Sequence, residues 1–320
     1  MYTSINNMKN EKIFITGGTG YLGKELIKKL LPNNTITVFS RDKIKQNLLK
    51  KEFPSVRFVV GDIKDEKLLT RALKGHTIAI FTASLKRIEE VDNNVREASH
   101  IMIDGTFNSR NAAIANGLKA AIFISSCQSR MPTTLYGALK YVAGESFIMN
   151  AEKEKTNLTT VLCGNIINST GSIIPLIWKA IREDIPLTLF GEEMTRFTMD
   201  TDEVLKCIEI ASCKTGFTVV PCLKSFKVKD LFEIYTDRFD LKWNLGKPRS
   251  SEKIHEQIIS PYELPRATFD KKDNVNLIHY RTVSEVNNRK FEIYSSDSNK
   301  VLMSKKKLER YLKINNFFTP

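Results

Sequence analysis

No stretch of this sequence stays apolar long enough to cross a bilayer. The longest runs, such as Ala120–Ile124 and Ile173–Trp178, fall far short of the ~20 residues a spanning helix needs. The opening residues 1–10 are polar and lack the apolar centre of a secretory signal, so a cytoplasmic location and no membrane partner are expected. Five cysteines, at 127, 163, 207, 213 and 222, and four scattered histidines show no zinc-like spacing. An odd cysteine count in a chain of 320 residues points to reduced thiols, and no metal is expected. Repeats and low-complexity segments are missing too.

What is present suffices for a large core, with 42% hydrophobic and 27% charged residues. The net charge is +13. Charge of that size raises the question of nucleic acid. Here it is diffuse, spread over presumed helix faces from Lys24 to Lys51 and again at Lys305–Lys307, with no interleaved aromatics. No nucleic-acid partner is therefore expected, and an anion-handling enzyme fits better.

The first half alternates short apolar runs with helical periodicity, the pattern of a parallel sheet covered on both faces. Strands are predicted at 12–16, 35–40, 56–61, 77–83, 120–126 and 159–167. Helices are predicted at 20–31, 65–73, roughly 94–116, and 135–153. From about Gly171 prolines punctuate shorter elements. The expected fold is α/β, a Rossmann-like doubly wound parallel sheet with a smaller C-terminal substrate-binding lobe. Residues 11–170 would form the dinucleotide domain, a helix near 201–212 would return to it, and 171–320 would mainly form the lobe.

The segment Thr16-Gly17-Gly18-Thr19-Gly20-Tyr21-Leu22-Gly23 leaves a predicted strand and opens a predicted helix. Gly17 suits a tight turn, Gly20 lets backbone approach a pyrophosphate, and Gly23 permits close helix–strand packing. The helix N-terminus offers unpaired N–H groups to phosphate. The second strand ends Phe39-Ser40-Arg41-Asp42, with Lys45 one helical turn on. A carboxylate directly at that strand end would suit NAD. Ser40 and Arg41 come first instead, and an arginine fork suits a 2′-phosphate, so NADP is expected. The alternative is a surface arginine with no ligand. Asp62 and Ile63 are placed to touch the adenine, although Asp62 could be only a cap for the following helix.

Tyr136-Gly-Ala-Leu-Lys140 sets a phenol and an ammonium on one helix face. A free tyrosine titrates near ~10. A neighbouring lysine and a positive nicotinamide ring should favour its phenolate. Tyr136 can then take a proton from a sugar hydroxyl while hydride leaves the same carbon, with Ser126, at the fifth strand's end, bonding that hydroxyl.

These motifs, with Ala83-Ser84-Leu85-Lys86, Gly164-Asn165, Gly171-Ser172, Met194-Thr195-Arg196-Phe197 and Ser251-Glu-Lys-Ile-His-Glu256, make the chain resemble a known family along nearly its whole length. It is similar to the UDP-N-acetylglucosamine 4,6-dehydratases of the extended short-chain dehydrogenase/reductase family, especially those that invert C5. The resemblance implies that Ala83 and Ser84 lie against the cofactor and that Lys86, Asn165, Ser172 and Thr195 contact substrate. Arg196 and Arg249 would grip the diphosphate, and Glu256 would accept from the uridine ribose. Arginine forks suit diphosphate and a carboxylate suits paired hydroxyls; a surface ion pair is the alternative for each arginine. A UDP-sugar is the implied partner and a homo-oligomer the expected assembly.

One departure is specific. Inverting members carry Asp-Lys after the serine, where this chain has Cys127-Gln128. Gln128 cannot titrate. Cys127, with pKa ~8.5 if unperturbed, could serve as acid or base, or could be a small structural thiol. The implied activity is an NADP-dependent UDP-N-acetylglucosamine 4,6-dehydratase with C5 inversion. A 4-epimerase or 4-reductase needs only Ser126, Tyr136 and Lys140, and a non-catalytic NADP-binding sensor would need none of them.

Overall fold

The computed structural model describes residues 8–85, 87–247, 251–281 and 294–319. Six strands, β1 (Lys12–Thr16), β2 (Thr35–Ser40), β3 (Arg57–Val60), β4 (Ile78–Phe81), β5 (Ala120–Ser126) and β6 (Asn157–Cys163), pair in the order β3-β2-β1-β4-β5-β6, all parallel. That is the doubly wound order, which reverses direction beside β1 and opens a crevice at the carboxyl ends of the strands. Both faces are covered, so the strands read as continuous apolar runs rather than alternating ones. Ile13, Ile15, Ile36, Val38 and Ile122 fill the core on one face, while Phe14, Phe39, Ala79, Phe81 and Phe123 fill the other.

The main sheet does not stop at residue 171. Phe217–Pro221 adds a parallel strand beside β6, and Val275–His279 and Ala267–Asp270 continue the sheet antiparallel. The helix Thr201–Ser212 packs back on this sheet through Val204, Cys207, Ile208 and Ala211. A separate core, with Ile177, Trp178, Phe226, Leu231 and Tyr235, holds the lobe together. The last helix, Lys305–Ile314, joins it through Leu308 and Leu312 while its lysines face solvent or ion pairs.

Three predicted elements are divided, the 135–153 helix among them, since it ends at Ile148 and only a short turn, Ala151–Lys153, follows. The 94–116 helix forms as Val95–Ser99, a wide π-type turn at His100–Asp104, and Gly105–Ala115. The 159–167 strand breaks at Gly164: its second part, β7 (Asn165–Ile166), leaves the main sheet and pairs with Thr195–Met199. At this crossing a Cβ on Gly164 would lie 2.5 Å from the Leu223 Cδ1, so any larger residue would have to displace that side chain. Apolar periodicity cannot report which sheet a strand joins, and this switch carries Asn165 out of the Rossmann layer toward Arg196.

Candidate active site

The glycine turn between β1 and helix α1 (Tyr21–Leu30) is forced by close packing. Gly17 has φ +68°, and a Cβ there would lie 2.9 Å from the Ala83 backbone; a Cβ at Gly23 would lie 2.4 Å from Gly18 Cα. Helix α1 starts at Gly20 with no side-chain cap and no acidic residue in its first turn. Its unpaired N–H groups and positive end therefore face a cleft of about 710 Å³, the size of a ligand site. Gly17, Thr19, Gly20, Tyr21, Leu22 and Gly23 line it. Thr16 and Gly18 support it from behind: the Thr16 hydroxyl accepts from Ala83 N at 3.2 Å, and Gly18 packs on Val38.

Ser40, Arg41, Asp42 and Lys45 line the next part of the cleft, at the end of β2. Buried Gln46 fixes that strand end by donating to the Ser40 carbonyl and hydroxyl and the Val59 carbonyl. The Asp42 carboxylate caps helix α2 (Lys43–Glu52) by accepting from Lys45 N. Arg41 projects into the opening, 3.9 Å from Asp62. Asp62 and Ile63 also line the cleft. The cap of the following helix, Glu66–Leu73, is Asp65 and not Asp62, whose carboxylate accepts from Lys64 N within its own turn. Ala83 and Ser84 close the wall, and the Ser84 hydroxyl oxygen is buried without a hydrogen-bond partner. An uncapped helix end, a glycine cradle and an orphaned hydroxyl together fit a dinucleotide phosphate chain.

At the inner end stand Ser126, Gln128, Tyr136 and Lys140. The helix Leu135–Ile148 is capped by Thr134, which accepts from Gly137 N. It starts hard against the turn Cys127–Ser129: a Cβ at Gly137 would lie 2.5 Å from the Gln128 carbonyl oxygen. The Ser126 hydroxyl shares the cleft wall with Tyr136 and accepts from Gln128 N at 3.3 Å. Lys140 is buried, donates to the Ile124 carbonyl at 3.1 Å, and sits over the Phe123 ring. Burial pulls its ammonium down to about 8, against the pull of Cys163. Burial also pushes the Tyr136 phenol above its ordinary range, with Cys127 adding to the rise and Ser126 opposing it. The expectation that Lys140 lowers this phenol is corrected: its ammonium is turned to Ile124, and desolvation dominates.

Cys127 lies in the sheet core at 1% exposure and is on neither cleft wall. Burial and the nearby Glu256 carboxylate push its thiol well up, more than Ser126 and Lys253 pull it down. A readily formed thiolate is thus not what the local field favours.

A second cleft, of about 700 Å³, adjoins the first. Gln128, Asn165, Gly171 and Ser172 line both. Its wall includes Arg196 and Glu256, brought beside Asn165 by the pairing of β7 with Thr195–Met199. Asn165 donates to both Glu256 oxygens at 3.0 and 3.2 Å, and Arg196 lies 3.0 Å from Glu252 and 3.7 Å from Glu256. Thr195 faces inward, bonded to His255 and Ser296, and is on neither wall. Lys86 and Arg249 lie outside the described residues. Glu252, Lys253, Phe190, Met194 and Phe226 also line this cleft and went unassigned in the sequence. Lys253 could have been suspected, since it sits inside the Ser251–Glu256 motif.

Residues 13–276 match the family described as polysaccharide biosynthesis protein. The chain is 31% identical to an uncharacterized membrane protein of Methanocaldococcus jannaschii, covering 98% of each. It is 30% identical to a UDP-N-acetylglucosamine 4,6-dehydratase (inverting) of Campylobacter jejuni, covering 94% of this chain and 96% of the other. A UDP-glucose 4-epimerase of Rickettsia rickettsii is 28% identical over 81% and 80%. Among solved structures, Pen from Bacillus thuringiensis superposes with TM-score 0.85 at 26% identity, covering 97% and 99%. A dTDP-glucose 4,6-dehydratase from Streptomyces venezuelae with NAD bound gives TM-score 0.66 at 17% identity over 76% and 86%, a likeness of fold. Among the described residues of this chain no helix is long and apolar enough to cross a membrane.

Proposed function

The chain belongs to the polysaccharide biosynthesis protein family, and within it we propose an NADP-dependent UDP-N-acetylglucosamine 4,6-dehydratase that inverts C5. The observation that carries this reading is the junction of the two clefts. Gln128, Asn165, Gly171 and Ser172 are shared walls, and Ser126 and Tyr136 stand beside them. A dinucleotide in the first cleft and a sugar nucleotide in the second would meet at that pair. The Campylobacter jejuni relative bears the name of the activity over nearly its whole length.

Bound NADP⁺ would supply a hydride acceptor and a positive charge beside Tyr136. Ser126 orients the C4 hydroxyl, and Tyr136 takes its proton. Lys140, one helical turn along from Tyr136, has its ammonium held by the Ile124 carbonyl, so the positive charge that favours the phenolate is left to the nicotinamide. Arg196 holds the diphosphate by charge-assisted hydrogen bonds, with Glu252 and Glu256 fixing its guanidinium. Arg41 and Lys45 favour the 2′-phosphate of NADP over a bare ribose.

A second reading, a nucleotide-sugar 4-epimerase or 4-reductase, draws on Cys127-Gln128. Directly after Ser126 one side chain is buried off the walls and the other cannot titrate. The test is to incubate the purified protein with UDP-N-acetylglucosamine and follow products by NMR. A new C6 methyl signal supports dehydration; exchange between C4 epimers without it supports the second reading.

A further inference from the structure

Dehydration requires a proton to leave C5 and another to reach the C6 hydroxyl, and the segment after Ser126 provides neither group on the cleft wall. Among the described residues, the titratable side chains lining the sugar cleft are Glu89, Asp92, Arg196, Glu252, Lys253 and Glu256. Five of them are unsuited. Glu89 and Asp92 are exposed, on the short helix Ile88–Asn93 at the mouth. Glu252 is paired with Arg196, and Glu256 already accepts from Asn165 and Phe197 N. Arg196 keeps its proton at any working pH.

Lys253 is different. It is half-buried, and its ammonium donates to the Arg130 carbonyl at 2.5 Å. Arg130 closes the turn Cys127–Ser129, so the amine lies against the very segment where related enzymes carry Asp-Lys. Arg130 is itself anchored: its guanidinium lies 2.6 Å from buried Glu263 and 3.7 Å from Glu145 of the Leu135–Ile148 helix. The amine is thereby tied to the frame that carries Tyr136.

Resting on the dehydratase reading, we propose that Lys253 is the acid–base catalyst of the elimination, supplied from a distant part of the chain in place of the missing Asp-Lys. Neutral Lys253 takes the C5 proton. The C5–H electron pair delocalises into the 4-keto group and then forms the C5–C6 double bond as the C6–O bond breaks. The departing hydroxide takes the proton back from the Lys253 ammonium and leaves as water, so the residue ends as it began. Burial, reinforced by Arg196, lowers the ammonium's pKa against Cys127 and Glu256, which raises the share of neutral amine.

The test compares wild type, Lys253→Gln and Lys253→Arg, each with bound NADP⁺ and UDP-N-acetylglucosamine in deuterated water. Lys253→Gln should lose at least ~10²-fold in dehydration and in deuterium entry at C5, the scale for losing a general acid or base. It should still bind UDP by calorimetry and still show absorbance of reduced nicotinamide from C4 oxidation. Added methylamine should restore part of the rate. Lys253→Arg keeps the charge and the bond to Arg130 but cannot act as a base, and it should stay slow. Wild-type dehydration in Lys253→Gln, or recovery in Lys253→Arg, would overturn the proposal. If Lys253→Gln fails to fold, the arginine variant decides alone. Failure of the wild type to form a 6-deoxy product sinks the dehydratase reading itself, which separates the two failures.

Discussion

Asn165 and Glu256, 91 residues apart in sequence, are joined by amide-to-carboxylate hydrogen bonds of 3.0 and 3.2 Å at the seam between the two clefts. Asn165 has just left the Rossmann sheet at Gly164, and Glu256 is buried at 4% exposure. With Arg196 this contact forms part of the polar wall of the second cleft, where the proposed sugar nucleotide would lie.

Arg196→Ala removes the cation between Glu252 and Glu256. UDP binding should weaken by ~1.5–3 kcal/mol, the range for a lost charged hydrogen bond, while NADP binding stays nearly constant. Calorimetry with each ligand separately checks this. Equal UDP affinity in the variant would make Arg196 a structural ion-pair partner only.

At the other end of the first cleft, Arg41 lines the wall where the proposed 2′-phosphate would lie. The protein should prefer NADP⁺ to NAD⁺, and Arg41→Ala should erase most of that preference by weakening NADP⁺ by about tenfold or more. Fluorescence titration with both cofactors reads the ratio. A wild type that binds both equally contradicts the assignment.

Cys127→Ala tests the buried thiol. Because the side chain sits in the core and not on a cleft wall, the substitution should leave dehydration within a few-fold of wild type. Its cost should appear as ~1 kcal/mol of stability from lost packing. A loss of ~10²-fold in rate with unchanged stability would return the proton work to the thiol.

Glu203 gives a pH-dependent effect on stability. It closes a capping box with Asp200 at the start of the Thr201–Ser212 helix, and burial raises its carboxyl to about 7 against the Asp200 hydrogen bond. A raised acid binds its proton more tightly in the folded state than in the unfolded one. Its contribution is therefore full below about 4.5, the ordinary value, and is lost as pH rises through about 7. Glu203→Gln keeps an acceptor for Asp200 N and carries no charge. It should raise the stability at pH 8 by on the order of 1–3 kcal/mol, seen as a higher melting temperature, and change little at pH 4. Thermal unfolding at both pH values decides.

Much of the first half was legible because its signals are local. The turn Gly17–Gly23 and the helix face of Tyr136 and Lys140 each depend on neighbours within a few residues. The strand ends at Thr16, Ser40 and Ser126 fell where predicted, since a strand covered on both faces reads as an unbroken apolar run. The Tyr136 field was misjudged for a related reason: four-residue spacing places two side chains on one face but does not say where each charged end points.

By itself, then, the sequence determined the doubly wound half, the glycine turn before the first helix and the shared helix of Tyr136 and Lys140. Only the tertiary structure decided that the strand beginning at Asn157 changes sheets at Gly164 and that three late strands complete the main sheet. It also decided that Cys127 is interior while Lys253 stands on the cleft wall. The physical reason is range. Turn geometry and helical phase are fixed by bonded neighbours, whereas burial and the electric field at a side chain are set by segments a hundred or more residues away.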